Sequence, residues 1–377
     1  MRPSTMLRIG GFIVLSAAIP MLVQAQARWS LVENLRIGSS DEGPAQFADV
    51  RGLAVNARGE LFVLEHRAQE IRMFDAKGQF LKRVARAGSG PGEIRNANGI
   101  LVAPSGELWV NDPANARFSV FSSDGEFLKQ HVVGVWGFSG FWDAMIARDG
   151  MLYEMILDRR GGPGRSVNAI RRFRADGTLM DTLPMPECAS RTGPGRVPIF
   201  QGRGRNGGEV MVSVPFLPSP RRTWDTRRFI WCSPQDPYEA MQIRLSRGDT
   251  VLQVRRDVGR VTISREEYDT ALERIRKLFA GGANEPDYSL IPRVKPPIEN
   301  LDVDDRGRLW VRRAATDTTR THFDVWNEEG RLVASVEAPF RLAPEWHPVF
   351  RGDTLYAVVR DEDDVPYVIR AVLRTSR

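Results

Sequence analysis

Gly43-Pro44-Ala45-Gln46-Phe47, Arg51-Gly52-Leu53-Ala54-Val55 and Gly59-Glu60-Leu61-Phe62-Val63 form a phrase that returns 47 positions later. The second copy reads Gly90-Pro91-Gly92-Glu93-Ile94, Asn98-Gly99-Ile100-Leu101-Val102 and Gly106-Glu107-Leu108-Trp109-Val110. The apolar runs are of strand length and are fenced by Gly or Pro. Self-similarity at a period of roughly 40 to 50 residues, written in short strands, predicts an all-β chain built of propeller blades. That architecture serves many purposes, so it does not by itself name a chemistry.

Working outward from the two copies, the frame divides the chain into six blades. Blade 1 spans about 50–86, with strands Gly52–Val55, Leu61–Glu65, Glu70–Phe74 and Phe80–Val84 around the turn Asp75-Ala76-Lys77-Gly78. Blade 2 spans 97–133 and blade 3 spans 140–186, with a Gly-rich insertion over 159–165. Blade 4, 197–257, is blurred: Gly208-Glu209-Val210-Met211-Val212 reads as its second strand, and 215–238 as an insertion rich in Pro and Arg. Blade 5 spans 297–337 and blade 6 spans 345–375. The last blade lacks a fourth strand, and residues 30–37 precede the Gly-Pro phrase as blade 1's last strand precedes that of blade 2. They are expected to complete blade 6 and close the ring, removing its open edges. One helix is predicted over 265–279. Ser264-Arg265-Glu266-Glu267 is a capping box, and Tyr268, Leu272, Ile275, Leu278 and Phe279 form an apolar stripe that packs on its own domain or docks a partner.

Residues 1–27 stand apart. Arg2 and Arg8 precede an apolar run from Ile9 to Val23, and Ala25-Gln26-Ala27 closes it with small residues, the pattern of a secretory signal cleaved after Ala25 or Ala27. The expected location is periplasmic or secreted, from a bacterium. Cys188 and Cys232 are the two cysteines, and in an exported chain they are expected to form a disulfide. The net charge is +6, but the lysines Lys77, Lys82, Lys129, Lys277 and Lys295 are scattered and the arginines form no stripe. A nucleic-acid surface would concentrate them, so no nucleic-acid partner is expected. No membrane association is expected after signal cleavage, and a monomer is expected.

The repeated phrase resembles the NHL repeat. Gly88, Gly90, Pro91, Gly92, Ile94, Gly99, Gly106, Leu108, Val110, Asp112, Asn115, Arg117, Val120, Phe121 and Gly125 match its pattern in blade 2. Blade 1 departs from it with Glu65, Ala68 and Glu70, and later blades keep only the Gly and apolar skeleton. The resemblance implies a six-bladed propeller, in a group that includes protein- and RNA-binding domains. It is also similar to six-bladed enzymes such as gluconolactonases, streptogramin lyases and the amidating lyase. Asp112, Asn115 and Arg117 are expected to tie a loop down, because buried polar groups need partners.

Counting back from the turn before each second strand picks equivalent positions at the channel mouth: Arg51, Asn98, Trp142, Phe200, Glu299 and Glu345. Phe200 rests on the blurred blade, so the ligand-binding set is Arg51, Asn98, Trp142, Glu299 and Glu345. No catalytic residue is assigned, and no cofactor is expected. His66, His131, His322 and His347 show no ligand spacing, and no Gly-x-Ser-x-Gly elbow is present. The expected function is a non-catalytic ligand- or protein-binding propeller. The alternative is a hydrolase or lyase of the gluconolactonase or streptogramin-lyase type, with Glu299, Glu345 and Asn98 holding Ca²⁺ through oxygen ligands. A further alternative has Arg51 neutralising the two glutamates across the channel.

Overall fold

The computed structural model describes residues 28–38, 43–134, 140–158, 167–186, 198–204, 208–279, 286–343 and 346–376. The expected signal segment, Cys188, Glu345 and the insertion at 159–165 lie outside them.

Among the described residues, the chain runs through six antiparallel meanders of four strands. Sheet 1 holds Val50–Val55, Leu61–Glu65, Glu70–Phe74 and Phe80–Ala87, with Glu93–Ile94 added alongside in parallel. Sheet 2 holds Gly99–Val102, Leu108–Asp112, Arg117–Phe121 and Phe127–Val132. Sheet 3 holds Ala144–Ile146, Leu152–Asp158, Val167–Phe173 and Leu179–Pro184. Sheet 4 holds Arg221–Asp225, Phe229–Ser233, Glu239–Arg244 and Thr250–Arg255, and sheet 5 holds Ile298–Val303, Leu309–Arg313, Thr321–Trp326 and Leu332–Ala338. Sheet 6 holds Val349–Arg351, Thr354–Arg360 and Pro366–Ser376, and its fourth strand is the N-terminal Arg28–Ile37. That strand pairs antiparallel with Pro366–Ser376 in the register Leu31↔Leu373 and Val32↔Val372. At Trp29↔Val336 it also touches the last strand of sheet 5 in parallel, joining sheets 5 and 6.

Local chemistry sets the turns. Asp75 Oδ1 accepts from the Lys77 and Gln79 amides at 2.8 Å each, and Gly78 sits at φ +81°, so an Asx turn with a left-handed glycine joins the last two strands of sheet 1. Burial follows strand position. Leu61–Glu65, Leu108–Asp112 and Arg117–Phe121 are buried at every residue, because a neighbouring sheet covers each face. Phe127–Val132 alternates instead, as a half-solvated outer strand does. Apolar clusters fill the spaces between sheets 1 and 2, 2 and 3, 3 and 4, 4 and 5, 5 and 6, and 6 and 1. The first strands touch in the same order: sheet 1 with sheet 2, 2 with 3, 3 with 4, 4 with 5, and sheet 6 with sheet 1.

Blade 4 differs from its sequence reading. The run at 215–238 is no insertion, since Arg221–Asp225 and Phe229–Ser233 are the first two strands of sheet 4. The segment read as its second strand, Glu209–Ser213, instead pairs with Ile199–Arg203 in a separate hairpin. Phe200 and Val212, on one face of that hairpin, meet Tyr268, Leu272, Ile275 and Phe279 of the helix Arg265–Phe279 in a small core of their own. The capping box forms as expected, with Ser264 N donating to Glu267 Oε2 at 3.0 Å and Glu267 N to Ser264 Oγ at 3.1 Å. Leu278 leaves the apolar stripe and is 40% exposed. Hairpin and helix each interrupt a connection from the last strand of one sheet to the first strand of the next, so both belong to the same end of the molecule.

Candidate functional site

The connections between sheets end where the first strands begin, and side chains at these positions touch from sheet to sheet. Between sheets 1 and 2, a Cβ on Gly52 would lie 2.7 Å from Ile100 Cγ1; between sheets 2 and 3, the Trp142 amide donates to the Asn98 carbonyl at 3.0 Å. Gly99 permits that approach, because a Cβ there would lie 2.4 Å from the Trp142 Cβ. Between sheets 3 and 4, Arg222 Nη2 donates to Asp143 Oδ2 at 2.8 Å, and Trp224 Nε1 donates to Asp143 Oδ1. Between sheets 4 and 5, Arg221 Nε and Gln235 Nε2 both donate to the Glu299 carbonyl, at 3.1 and 3.2 Å. Between sheets 5 and 6, Arg312 donates to the carbonyls of Ala343 and Trp346. Phe141, before sheet 3, packs edge-on against Trp346, before sheet 6, with centroids 4.9 Å apart.

Arg51, Asn98, Trp142 and Glu299, the described members of the expected set, therefore lie at one end of the sheets, but their pairings differ from the expected ones. Arg51 does not neutralise Glu299. It pairs with Asp49 at 3.0 Å, while Arg341 Nη2 donates to Glu299 Oε1 at 3.0 Å and Arg341 Nη1 lies 2.9 Å from Oε2. The Asn98 amide oxygen accepts from Asn111 Nδ2 at 2.8 Å in a fully buried pair. Trp142 Nε1 donates to Glu154 Oε2 at 3.0 Å, and Arg171 holds the other oxygen. Burial pushes the Glu154 carboxyl up, and its charged partner Arg171 opposes that rise. Both oxygens of Glu299 thus lie on a guanidinium and the Asn98 amide oxygen on Asn111. Among the described residues, no group of three His, Cys, Asp or Glu is placed to hold a metal ion. Phe200, whose reading rested on the blurred blade, lies in the core between hairpin and helix, away from these strand ends.

Counting the frame missed five contributors: Arg312, Asp302, Arg221, Arg222 and Arg341. Arg312 and Asp302 form a buried pair at 2.6 and 3.0 Å, and His347 Nδ1 lies 2.8 Å from the same carboxylate. Burial alone would raise the Asp302 pKa, but the Arg312 charge and then the His347 contact hold it below the usual carboxylate value. Arg221 and Arg222 were missed because their strand reads as Pro- and Arg-rich loop. Arg341 was missed because it lies 42 residues from Glu299, in a connection with no pattern.

Asp112, Asn115 and Arg117 do the tying expected of them. Asp112 accepts from the Arg95 amide at 2.7 Å and from Asn115 Nδ2 at 2.8 Å, and Arg117 Nη2 donates to the Gly90 and Glu93 carbonyls at 2.8 Å each. Glu65 does the same in sheet 1, accepting from the Asp49 and Ala68 amides. These groups fix the connections that carry the site.

Consecutive four-stranded meanders whose first strands meet at a common centre define a β-propeller. No family model matches the chain, and no curated protein matches it. Solved structures do share the fold. A member of the DUF4221 family from Bacteroides vulgatus aligns at 12% identity and TM-score 0.52, covering 93% of this chain and 100% of that one. A protein of Bacteroides fragilis described as exported aligns at 12% identity and TM-score 0.50, covering 93% and 96%. Virginiamycin B lyase from Staphylococcus aureus aligns at 13% identity and TM-score 0.47, covering 92% and 99%.

Proposed function

We propose that this chain is an exported, non-catalytic binding protein: a six-bladed propeller with NHL-like repeats, closed by its N-terminal strand, whose ligand sits at the channel mouth. An apolar cluster between every consecutive pair of sheets supports the closed ring. The mouth carries Arg51, Asn98, Trp142, Glu299 and Glu345, joined by Arg221, Arg222 and Arg341. The ligand is a small molecule or a protein segment, and the protein is a monomer with no nucleic-acid partner. The binding reading rests chiefly on Glu299, whose two carboxylate oxygens both lie within 3.0 Å of Arg341. The polar groups here are tied to one another across sheets, which suits a preorganised recognition surface. Export is supported by the signal pattern in residues 1–27, and no helix among the described residues is long and apolar enough to cross a membrane.

The second reading is a Ca²⁺-dependent hydrolase or lyase in which Glu299, Glu345 and Asn98 exchange their protein partners for the ion. Intact mass measurement of the mature chain, native and denatured, separates the two. The binding reading predicts no stoichiometric metal, and a bridge between Cys188 and Cys232 predicts no mass gain on alkylation without reductant. Among the described residues no cysteine is free, and Cys232 is wholly buried against sheet 3. One divalent ion per chain, lost in Glu299→Gln, would favour the enzyme instead, and two alkylated thiols would remove the bridge.

A further inference from the structure

Of the arginines that converge on the mouth, four have carboxylates. Arg51 has Asp49, Arg222 has Asp143, Arg312 has Asp302 and Arg341 has Glu299. Arg221 has none in ion-pair range among the described residues. Among the described residues its guanidinium makes one hydrogen bond, from Nε to the Glu299 carbonyl, and the four N–H groups on Nη1 and Nη2 have no acceptor there. The side chain is no surface arginine waving in water. It lies part-buried at the start of the first strand of sheet 4, and Gln235 shares its carbonyl anchor and is itself buried. Burial, and then the neighbouring Arg312 charge, depress its guanidinium below the usual arginine value, and the Glu299 charge opposes them only in part. A part-desolvated cation with no carboxylate in direct contact gains from an anion laid against it.

We infer that Arg221 anchors an oxyanion site at the channel mouth, taking a carboxylate or phosphate group of the ligand on its free Nη edge. A planar fork with its Nε already pinned presents two parallel donors, the geometry that carboxylate and phosphate oxygens accept. Phe141, 39% exposed, and the half-buried Trp142 lie on the same end of the sheets and offer ring surface to an apolar remainder. This inference rests on the binding reading and names the chemistry its ligand must carry.

Isothermal titration of the mature chain with sodium phosphate, sodium benzoate and the neutral benzamide, at an ionic strength fixed with sodium chloride, tests it. Either anion should bind saturably at one per chain. Arg221→Gln should weaken that binding about tenfold to a hundredfold, the loss expected for hydrogen bonds to a charged group. Arg221→Lys, which keeps the charge and loses the fork, should fall between, and Arg320→Gln, an exposed arginine paired with Glu337, should bind as the parent does. The two anions tell a phosphate ligand from an organic acid. Anion binding that survives in Arg221→Gln, or no saturable binding of either anion, overturns the oxyanion site. Benzamide binding that is kept in Arg221→Gln and lost in Trp142→Ala would overturn it while leaving the binding reading standing.

Discussion

Arg312 is 2% exposed, and Asp302 beside it is 1% exposed. Such a pair is a weak source of net stability but a strong liability when half of it is removed, because the other charge stays buried. Arg312→Met should therefore cost about 3–5 kcal/mol in chemical denaturation at neutral pH. The Asp302 pKa is depressed in the fold, so its contribution is present above the unfolded carboxylate value of about 3.9 and is lost as pH falls through the lower folded value. Asp302→Asn should flatten that acid limb of the stability–pH curve, and an unchanged acid limb would show the pair to be uncoupled from folding. Little of this was legible in the sequence. Glu299 could be found by counting from a glycine turn, but its partner Arg341 and the role of Arg312 depend on which connection lies over which strand. Period and composition do not carry that information.

At the scale of elements, the glycine turns and alternating runs pointed to strands where strands are found outside sheet 4, and the capping box marked the start of the helix Arg265–Phe279. Sheet 4 escaped because its first strand, Arg221-Arg222-Thr223-Trp224-Asp225, sends two arginines towards the mouth and so lacks an apolar alternation. A better strand pattern, Glu209–Ser213, lay close by and drew the reading, yet it belongs to the hairpin that packs on the helix. That lobe has its own small core, separate from the clusters between sheets. Ile275→Ala, at a site 2% exposed, should cost the lobe about 2–5 kcal/mol. Amide exchange should then rise together in 209–213 and 265–279 while sheets 1 and 2 keep their protection. A rise confined to the helix, or spread over every sheet, would contradict a shared and separate core.

For the whole molecule, the proposed mouth depends on the proposed closure. Residues from sheets 3 and 6 can meet, as Phe141 and Trp346 do, only if the sheets turn round a common axis. In the proposed closed ring the N-terminal strand, which pairs with Pro366–Ser376, makes the turn complete, since without it that long strand would offer an open edge. Its position was legible because the Gly-Pro phrase follows it as the same phrase follows the last strand of sheet 1. The direct measurement is a cross-link between Val32→Cys and Val372→Cys in the mature chain. These residues are directly paired, and opposed positions on antiparallel strands lie about 4.5–5.5 Å apart at Cα, within disulfide reach. Closure predicts that air oxidation joins 32 to 372 in the peptide map and stabilises the protein by up to about 5 kcal/mol. Two freely alkylated thiols at 32 and 372, or a bond from either to another cysteine, would contradict it.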